Sequence, residues 1–311
     1  MANNHPDDKT PEDDQIMDQN RKRVLTATSL GIIFAIAAAL VFSLQDGISK
    51  YMATQYNVFF VVMLRYWAFA AFVLVMSSRG EGGIAAVARS QVIGLQFFRG
   101  MLLVLQICVI IWSFANIGLI STHVIFAAFP LLVTALSVPF LKETVGWQRW
   151  LAIFAGFAGV VIILQPGSSV FSPISLIPCL TALMFAFYHI LTRYVSRFDT
   201  PQTSFFWTGI GGAVTVSFIG PFFWDPMVGF DWFWMLALAI LGALGHYLTI
   251  RALAIAEASS IQPFFFLQLV FTSLVALVVF SEGITLTMLF GAMIIVGSGM
   301  FTFWRERQRN R

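Results

Sequence analysis

Charge is what this chain has least of. Asp, Glu, Lys and Arg make up 11% of its 311 residues, against about a quarter in an ordinary soluble domain, which excludes a water-soluble globule. Cysteine is nearly absent as well: Cys108 and Cys179 both lie inside apolar runs, so no disulfide framework is implied and each reads as a small buried hydrophobe. The chain carries no HExxH, no Walker loop, no Ser-His-Asp spacing and no carboxylate cluster on one helix. Hydrolytic, nucleotide-driven and metal-assisted chemistry each need one of those constellations, so no catalytic residue, metal ligand or cofactor is assigned. A membrane-embedded enzyme is the remote alternative. A channel is weaker still, because no pore helix or filter-like loop interrupts the apolar runs. Basic residues clustered on one folded face would mark a nucleic-acid partner, and none is expected.

What is present is apolar: 59% of the residues are hydrophobic. Ten stretches approach the roughly 20 residues needed to cross a bilayer, at 25–44, 57–77, 93–115, 122–141 and 147–164, then 172–194, 201–223, 232–253, 260–280 and 285–304. In hydrocarbon every backbone N–H and C=O must be satisfied within its own segment, so these stretches are helices. The expected fold is an all-α integral membrane protein of ten transmembrane helices. Residues 1–22 read as a disordered cytoplasmic tail, polar and rich in Asp, Asn and Pro, and they lack the basic start and apolar core of a cleavable signal. Residues 305–311 form a basic cytoplasmic tail.

Basic residues near helix ends set the orientation. With the N-terminus inside, Arg21, Lys22, Arg23, Arg79, Arg89, Lys142, Arg149, Arg193, Arg197, Arg251 and the C-terminal arginines gather on the cytoplasmic side, and the opposite side keeps only Lys50. Both termini are therefore expected in the cytoplasm, with the loop bearing Asp225 and Asp231 outside.

Two apolar runs end alike, FLKET at 140–144 and FSEGIT at 280–285, with Glu143 and Glu282 in matching places. Aligning the glutamates pairs Ala115 with Ala254, Ser121 with Ser260, His123 with Gln262, Phe126 with Phe265 and Thr134 with Ser273, without a gap. Aligning Lys50-Tyr51 on Arg193-Tyr194 pairs Asp46 with His189 and Gln45 with Tyr188. Two five-helix halves, 25–164 and 172–304, thus share one plan. Because five is odd, the second copy crosses in the opposite sense, the inverted repeat that secondary transporters use for alternating access.

The run ANIGLISTHVIFAAFPLLVTALSVPFLKETVGWQRW and its second copy LAIAEASSIQPFFFLQLVFTSLVALVVFSEGITLTM resemble the EamA domain of the drug/metabolite transporter superfamily. The resemblance spans about residues 28–304. It implies a ten-helix carrier of small organic solutes in the cell membrane, a bacterial inner membrane. It leaves the substrate open, because one fold serves many solutes. Few buried charges and many aromatics, including 33 Phe and 9 Trp, favour a weakly charged, flat metabolite. A vitamin such as riboflavin leads, with S-adenosylmethionine, aromatic amino acids or exported drugs as alternatives. The lipid bilayer and the solute are the partners implied; no oligomeric state is read.

Polar groups inside spans are the candidate site. Gln45, Gln106, His123, Tyr188, His189, His246 and Gln268, interleaved with Trp112, Tyr247 and Phe266, are expected to line a central cavity between the halves. Each histidine has a plainer reading as an interhelical hydrogen-bond partner, and the sharper readings are solute recognition or proton transfer, with protons as a coupling ion. Asp46, Lys50, Arg65, Arg99, Glu143, Arg193 and Glu282 form the gating or structural charges. Charge inside a span costs about 2.5–3.5 kcal/mol on insertion scales, so these groups need partners. Arg99, near a helix end, reads either as a snorkelling side chain or as functional; Arg65 reads as a salt bridge, a lipid-phosphate contact or a solute ligand. Glu143 and Glu282 suit capping of the helix that follows each of them, the alternative being a gating contact. Pro130 is the expected hinge, and the glycines at 156, 159, 242, 245, 291, 297 and 299 are expected to allow close helix approach, as static packing or as a sliding surface.

Overall fold

The computed structural model describes residues 11–80, 82–164 and 172–309, and every regular element among them is helical. The helices are α1 (Pro11–Gln55), α2 (Val58–Arg79), α3 (Gly83–Ala88), α4 (Ile93–Asn116), α5 (Leu119–Phe126), α6 (Phe129–Leu141) and α7 (Trp147–Leu164), then α8 (Leu176–Val195), α9 (Pro201–Ser217), α10 (Asp231–Ile255), α11 (Ala258–Phe280) and α12 (Leu286–Arg309). Each of the ten apolar stretches falls on helix. Seven segments are long and apolar enough to cross a bilayer, while α7 and α12 carry shorter apolar stretches, Trp150–Leu164 and Leu286–Ser298, and α9 has 17 residues.

Three departures from the sequence reading have local causes. Helix α1 begins at Pro11, so residues 11–22 are helical where an unstructured tail is expected. A proline in the first turn has its φ already set for a helix. Residues 1–10 lie outside the described residues. The predicted helix at 122–141 is divided: α5 ends at Phe126 and α6 restarts at Phe129, with Pro130 in its first turn. Proline cannot donate the N–H that would continue α5, and its ring clashes with the preceding turn. Pro263 sits inside α11 without dividing it, close to the helix start where a missing donor costs least. The stretch at 201–223 is likewise divided, into α9 and a 3-10 turn at Gly220–Phe223.

The packing joins one half to the other. α1 lies against α10 and α11, α4 against α8 and α9, α6 against α8 and α11, and α7 against α12. Each of these pairs takes one helix from residues 25–164 and one from 172–304, so the bundle core is the seam between halves. α7 and α12 touch through glycine: a Cβ on Gly159 would meet the carbonyl oxygen of Gly291 at 2.9 Å, and one on Gly291 would meet the Gly159 carbonyl at 2.8 Å. Only backbone fits at that crossing.

α6 and α11 end alike. Lys142 and Ser281 are the two non-glycine residues with left-handed φ among those described, at 58° and 53°. After each, the amide of the next residue reaches back across the turn, Glu143 N–H to the Ser137 carbonyl (3.3 Å) and Glu282 N–H to the Ala276 carbonyl (3.2 Å). The left-handed residue's own N–H reaches the same carbonyl, Lys142 to Ser137 and Ser281 to Ala276, so each helix closes at that residue, and the turn sets the direction in which its glutamate leaves.

Candidate functional site

Those two turns aim the glutamates across the seam. Glu282 accepts the first N–H groups of α5, from Leu119 (2.9 Å) and Ile120 (2.8 Å). Glu143 accepts those of α11, from Ala258 (3.1 Å) and Ser259 (3.2 Å). The residues correspond in the sequence alignment: Leu119, Ile120 and Glu143 are each offset by the same interval from Ala258, Ser259 and Glu282. Each half thereby caps a helix of the other. This corrects the expectation that the carboxylates cap α7 and α12, the helices that follow them. The left-handed residue before each glutamate carries its carboxylate off the chain path towards a neighbouring helix start. That start has unpaired N–H donors and a positive dipole end.

The two ends differ in their cations. Lys50 of α1 forms an ion pair with Glu282, whose partners are 13% and 17% exposed at their side chains, and its ammonium lies 4.4 Å from the centre of the Phe280 ring. Burial raises the Glu282 carboxyl, but the Lys50 hydrogen bond and the Ile120 and Leu119 N–H groups outweigh it, so it titrates below its ordinary value. Arg193, the counterpart of Lys50, instead donates to the carbonyls of Leu253 (3.0 Å) and Ala254 (3.3 Å) in the last turn of α10. Among the described residues Glu143 has no ion pair. The Lys50 end is further tied by Tyr51 and Tyr56, whose hydroxyls donate to Asp231 at 2.9 and 2.7 Å.

One helical turn inside Lys50, Asp46 organises a buried cluster. Its Oδ2 accepts from Gln268 Nε2 (2.9 Å) and lies 3.0 Å from His123 Nε2, and its Oδ1 accepts from Gln45 Nε2 (3.3 Å). Gln45 in turn accepts from Arg65 Nη2 at 2.9 Å. His123 stacks on Phe114 with ring centres 5.0 Å apart. The equivalent pair of the second half, His189 and Gln262, also meets, at 3.4 Å. His189 is walled by Phe129, Phe185 and Phe265, and His246 packs between Phe42 and Tyr188.

Several polar atoms here have no hydrogen-bond partner among the described residues: Arg65 Nη1, His189 Nε2, both ring nitrogens of His246, and the side-chain oxygens of Gln262 and Gln268. A buried polar group without a partner costs about 1–3 kcal/mol. These atoms concentrate at one seam, which leaves several donors and acceptors there without a protein partner among the described residues. The region is closed, with Arg65, His189, His246 and Gln262 each at most 2% exposed. Phenylalanine rings occupy the space in which the sequence suggests an open cavity.

The other expected residues divide. Gln106 and Phe266 are buried, on α4 and α11. Tyr188 contributes its ring to the cluster and its hydroxyl to Arg99. Arg99 does not snorkel: it is fully buried and donates to Gln96, Tyr188, Thr192, Thr208 and the Ser204 carbonyl. That shell of neutral acceptors pins α4 to α8 and α9. Two expected lining residues lie elsewhere. Trp112 is 37% exposed on the outer surface, and Tyr247 lines a separate apolar cavity of about 700 Å3 with Phe69, Phe72, Val73, Phe205 and Leu236. The Arg99 shell went unnoticed in the sequence; its one signal is the four-residue spacing of Tyr188 with Thr192 and of Ser204 with Thr208, which puts each pair on one helix face.

The match to known proteins is as symmetric as the caps. The EamA-like transporter family matches this chain twice, over residues 29–165 and 172–304. The chain belongs to that family. It is accordingly a multi-pass membrane protein. It is 26% identical over 278 residues to the S-adenosylmethionine uptake transporter of Rickettsia felis, covering 89% of this chain and 94% of that one. It is 27% identical over 297 residues to the riboflavin transporter of Vibrio cholerae, covering 90% and 95%. A solved crystal structure that is 17% identical superposes with a TM-score of 0.65, over 91% of this chain and 98% of its own, and so shares the fold.

Proposed function

We propose that the protein is a secondary carrier that moves a small organic metabolite by alternating access between two inverted five-helix halves. The observation that carries this is the reciprocal cap: Glu282 holds the start of α5 and Glu143 the start of α11. Two halves that exchange equivalent contacts can exchange conformations, which is how an inverted repeat opens a central site to either side. The Lys50–Glu282 ion pair holds that end of the seam shut, a conformer locked at the Lys50 side. Ten helices cross the membrane in this reading, α5 and α6 together forming one crossing, in a bacterial inner membrane with both termini in the cytoplasm.

The solute is a flat heteroaromatic metabolite with a polar arm, the chemistry that riboflavin and S-adenosylmethionine have in common. Aromatic faces around His189 and His246 suit the ring, and the unpaired Arg65, His189 and Gln262 atoms suit the polar arm. The test is flux in liposomes containing the purified protein: saturable uptake of one of these two compounds, accelerated by the same compound trapped inside. Linear, unsaturable flux would indicate a channel, and chemical conversion of either compound would indicate an enzyme.

The topology has its own test. Cysteines placed at Asp225 and at Arg309 are expected to react with membrane-impermeant thiol reagents from opposite sides. Reaction of both from outside the cell would remove the inverted arrangement.

A further inference from the structure

His123 donates and is received on both sides of its ring, which fixes its proton inventory. Nδ1 lies 3.2 Å from the Leu119 carbonyl oxygen, and a carbonyl only accepts, so Nδ1 carries a hydrogen. Nε2 lies 3.0 Å from Asp46 Oδ2. That contact requires one more proton, held on Nε2 as an imidazolium donating to a carboxylate, or on Oδ2 as a carboxylic acid donating to a neutral ring. Without it, a carboxylate oxygen would face a ring lone pair. Asp46 is 7% exposed and His123 1%, so water does not substitute.

We propose that the Asp46–His123 pair is a proton-binding site that couples proton movement to movement of the solute, an inference that rests on the carrier reading above. When the proton leaves to water on the open side, no bond other than the Oδ2···H···Nε2 bridge breaks, and the pair goes from net neutral to net −1. The attraction between α1 and α5 is lost with it. The same two helices, with α11, form the lock one turn away. Leu119 joins the two levels through a single residue, its N–H donating to Glu282 and its carbonyl accepting from His123. Gln268 of α11 reaches Asp46 from the helix that ends at Glu282. Protonation at the pair and closure at Lys50–Glu282 therefore act on the same three helices.

Around the pair stand three cations and two further histidines. Arg65 of α2 donates to Gln45 and lies within electrostatic reach of Asp46, Lys50 of α1 is taken by Glu282, and Arg99 of α4 is held in its own shell. His189 of α8 faces Gln262, and His246 of α10 faces Phe42 and Tyr188. In the second half the matched positions are His189 and Gln262, and glutamine has no proton to exchange at neutral pH. One half thus carries the proton and the other does not, so one proton per transport cycle is expected.

Two measurements on the full-length protein in lipid test this. In protein labelled with 15N-histidine and 13C-aspartate, assigned by comparison with His123→Gln and Asp46→Asn, the expected spectrum at pH 7 shows either a doubly protonated His123 or a protonated Asp46. A bare Nε2 beside an ionised Asp46 carboxylate overturns the site. In liposomes, uptake of S-adenosylmethionine and of riboflavin is measured with and without an imposed pH gradient. The ratio of the two rates is expected to depart from one in the wild type for the transported compound, and to fall to one in Asp46→Asn and His123→Gln, whatever their absolute rates. A wild-type ratio of one, or a ratio unchanged in both variants, overturns the coupling. If neither compound moves, the substrate reading fails, and the spectra still decide whether the pair holds a proton.

Discussion

In Glu282→Gln, the Lys50 end of the bundle is expected to open. The amide keeps the size of the carboxylate and one acceptor oxygen, so α5 retains part of its cap, but the charge that holds Lys50 is gone. Hydrogen bonds to charged groups contribute about 1.5–3 kcal/mol, and exposed ion pairs about 0.2–1. This pair is mostly shielded, so a shift of about 1–2 kcal/mol, or roughly 5- to 30-fold, towards the state open at Lys50 follows. The readout is a cysteine at Ser49, fully buried beside the pair, in a background lacking Cys108 and Cys179. Its reaction with an impermeant thiol reagent is expected to accelerate by that factor when Glu282 is replaced, and solute exchange to slow with little change in binding. Lowered expression with no change in labelling would leave Glu282 as a cap and nothing more. The pH dependence has a definite sign. A carboxyl that titrates below its ordinary value of 4.5 in the folded state contributes fully above that value and loses its contribution as pH falls through the lower folded value. Labelling at Ser49Cys should therefore be independent of Glu282 protonation at neutral pH and rise only in strong acid.

The glutamates show how far the sequence reaches. Their equivalence was readable, because two apolar runs end on the same motif in aligned positions. Their partners were not, because a cap supplied by the opposite half leaves no local signature: the donors at Leu119 and Ala258 are backbone groups and carry no residue identity. The helices themselves were legible from apolar length, since hydrocarbon admits no other backbone, whereas Pro130, read as a hinge within one helix, divides it in two. Which face of each helix points inward was harder. In a soluble bundle the polar stripe marks the outside, but here lipid and protein faces are both apolar, and the aromatics Trp112 and Tyr247 were placed with the buried cluster although one is exposed and the other lines a separate cavity. Asp46, His123, Gln45 and Gln268 were found because a polar group in an apolar run is expensive enough to demand a partner. The hydroxyls around Arg99 cost little and so gave no comparable signal.

Arg65→Lys is expected to weaken solute binding by about tenfold or more while leaving the fold intact. Arg65 is fully buried, and its guanidinium uses Nη2 to hold Gln45 while Nη1 has no hydrogen-bond partner among the described residues. Removing the charge altogether would confound binding with folding, because Asp46 and Gln45 would lose the cation behind them. Lysine keeps the charge, but its single ammonium cannot hold Gln45 and reach a second acceptor in the fixed fork geometry of arginine. The lost charge-assisted bond, about 1.5–3 kcal/mol, gives the expected factor. Gly242 supplies an independent handle: a Cβ there would meet Arg65 Nε at 2.6 Å, so Gly242→Ala must displace the guanidinium without altering its chemistry. Both variants are expected to raise the Kd of the transported compound, with thermal unfolding midpoints close to wild type. His189→Ala, which removes a neutral donor or acceptor, is expected to cost less, about 1 kcal/mol or fivefold. That ranking separates a solute-facing arginine from a structural one: if Arg65→Lys and Gly242→Ala both bind normally, Nη1 faces no solute, and the binding site must be sought on the His189 side of the seam.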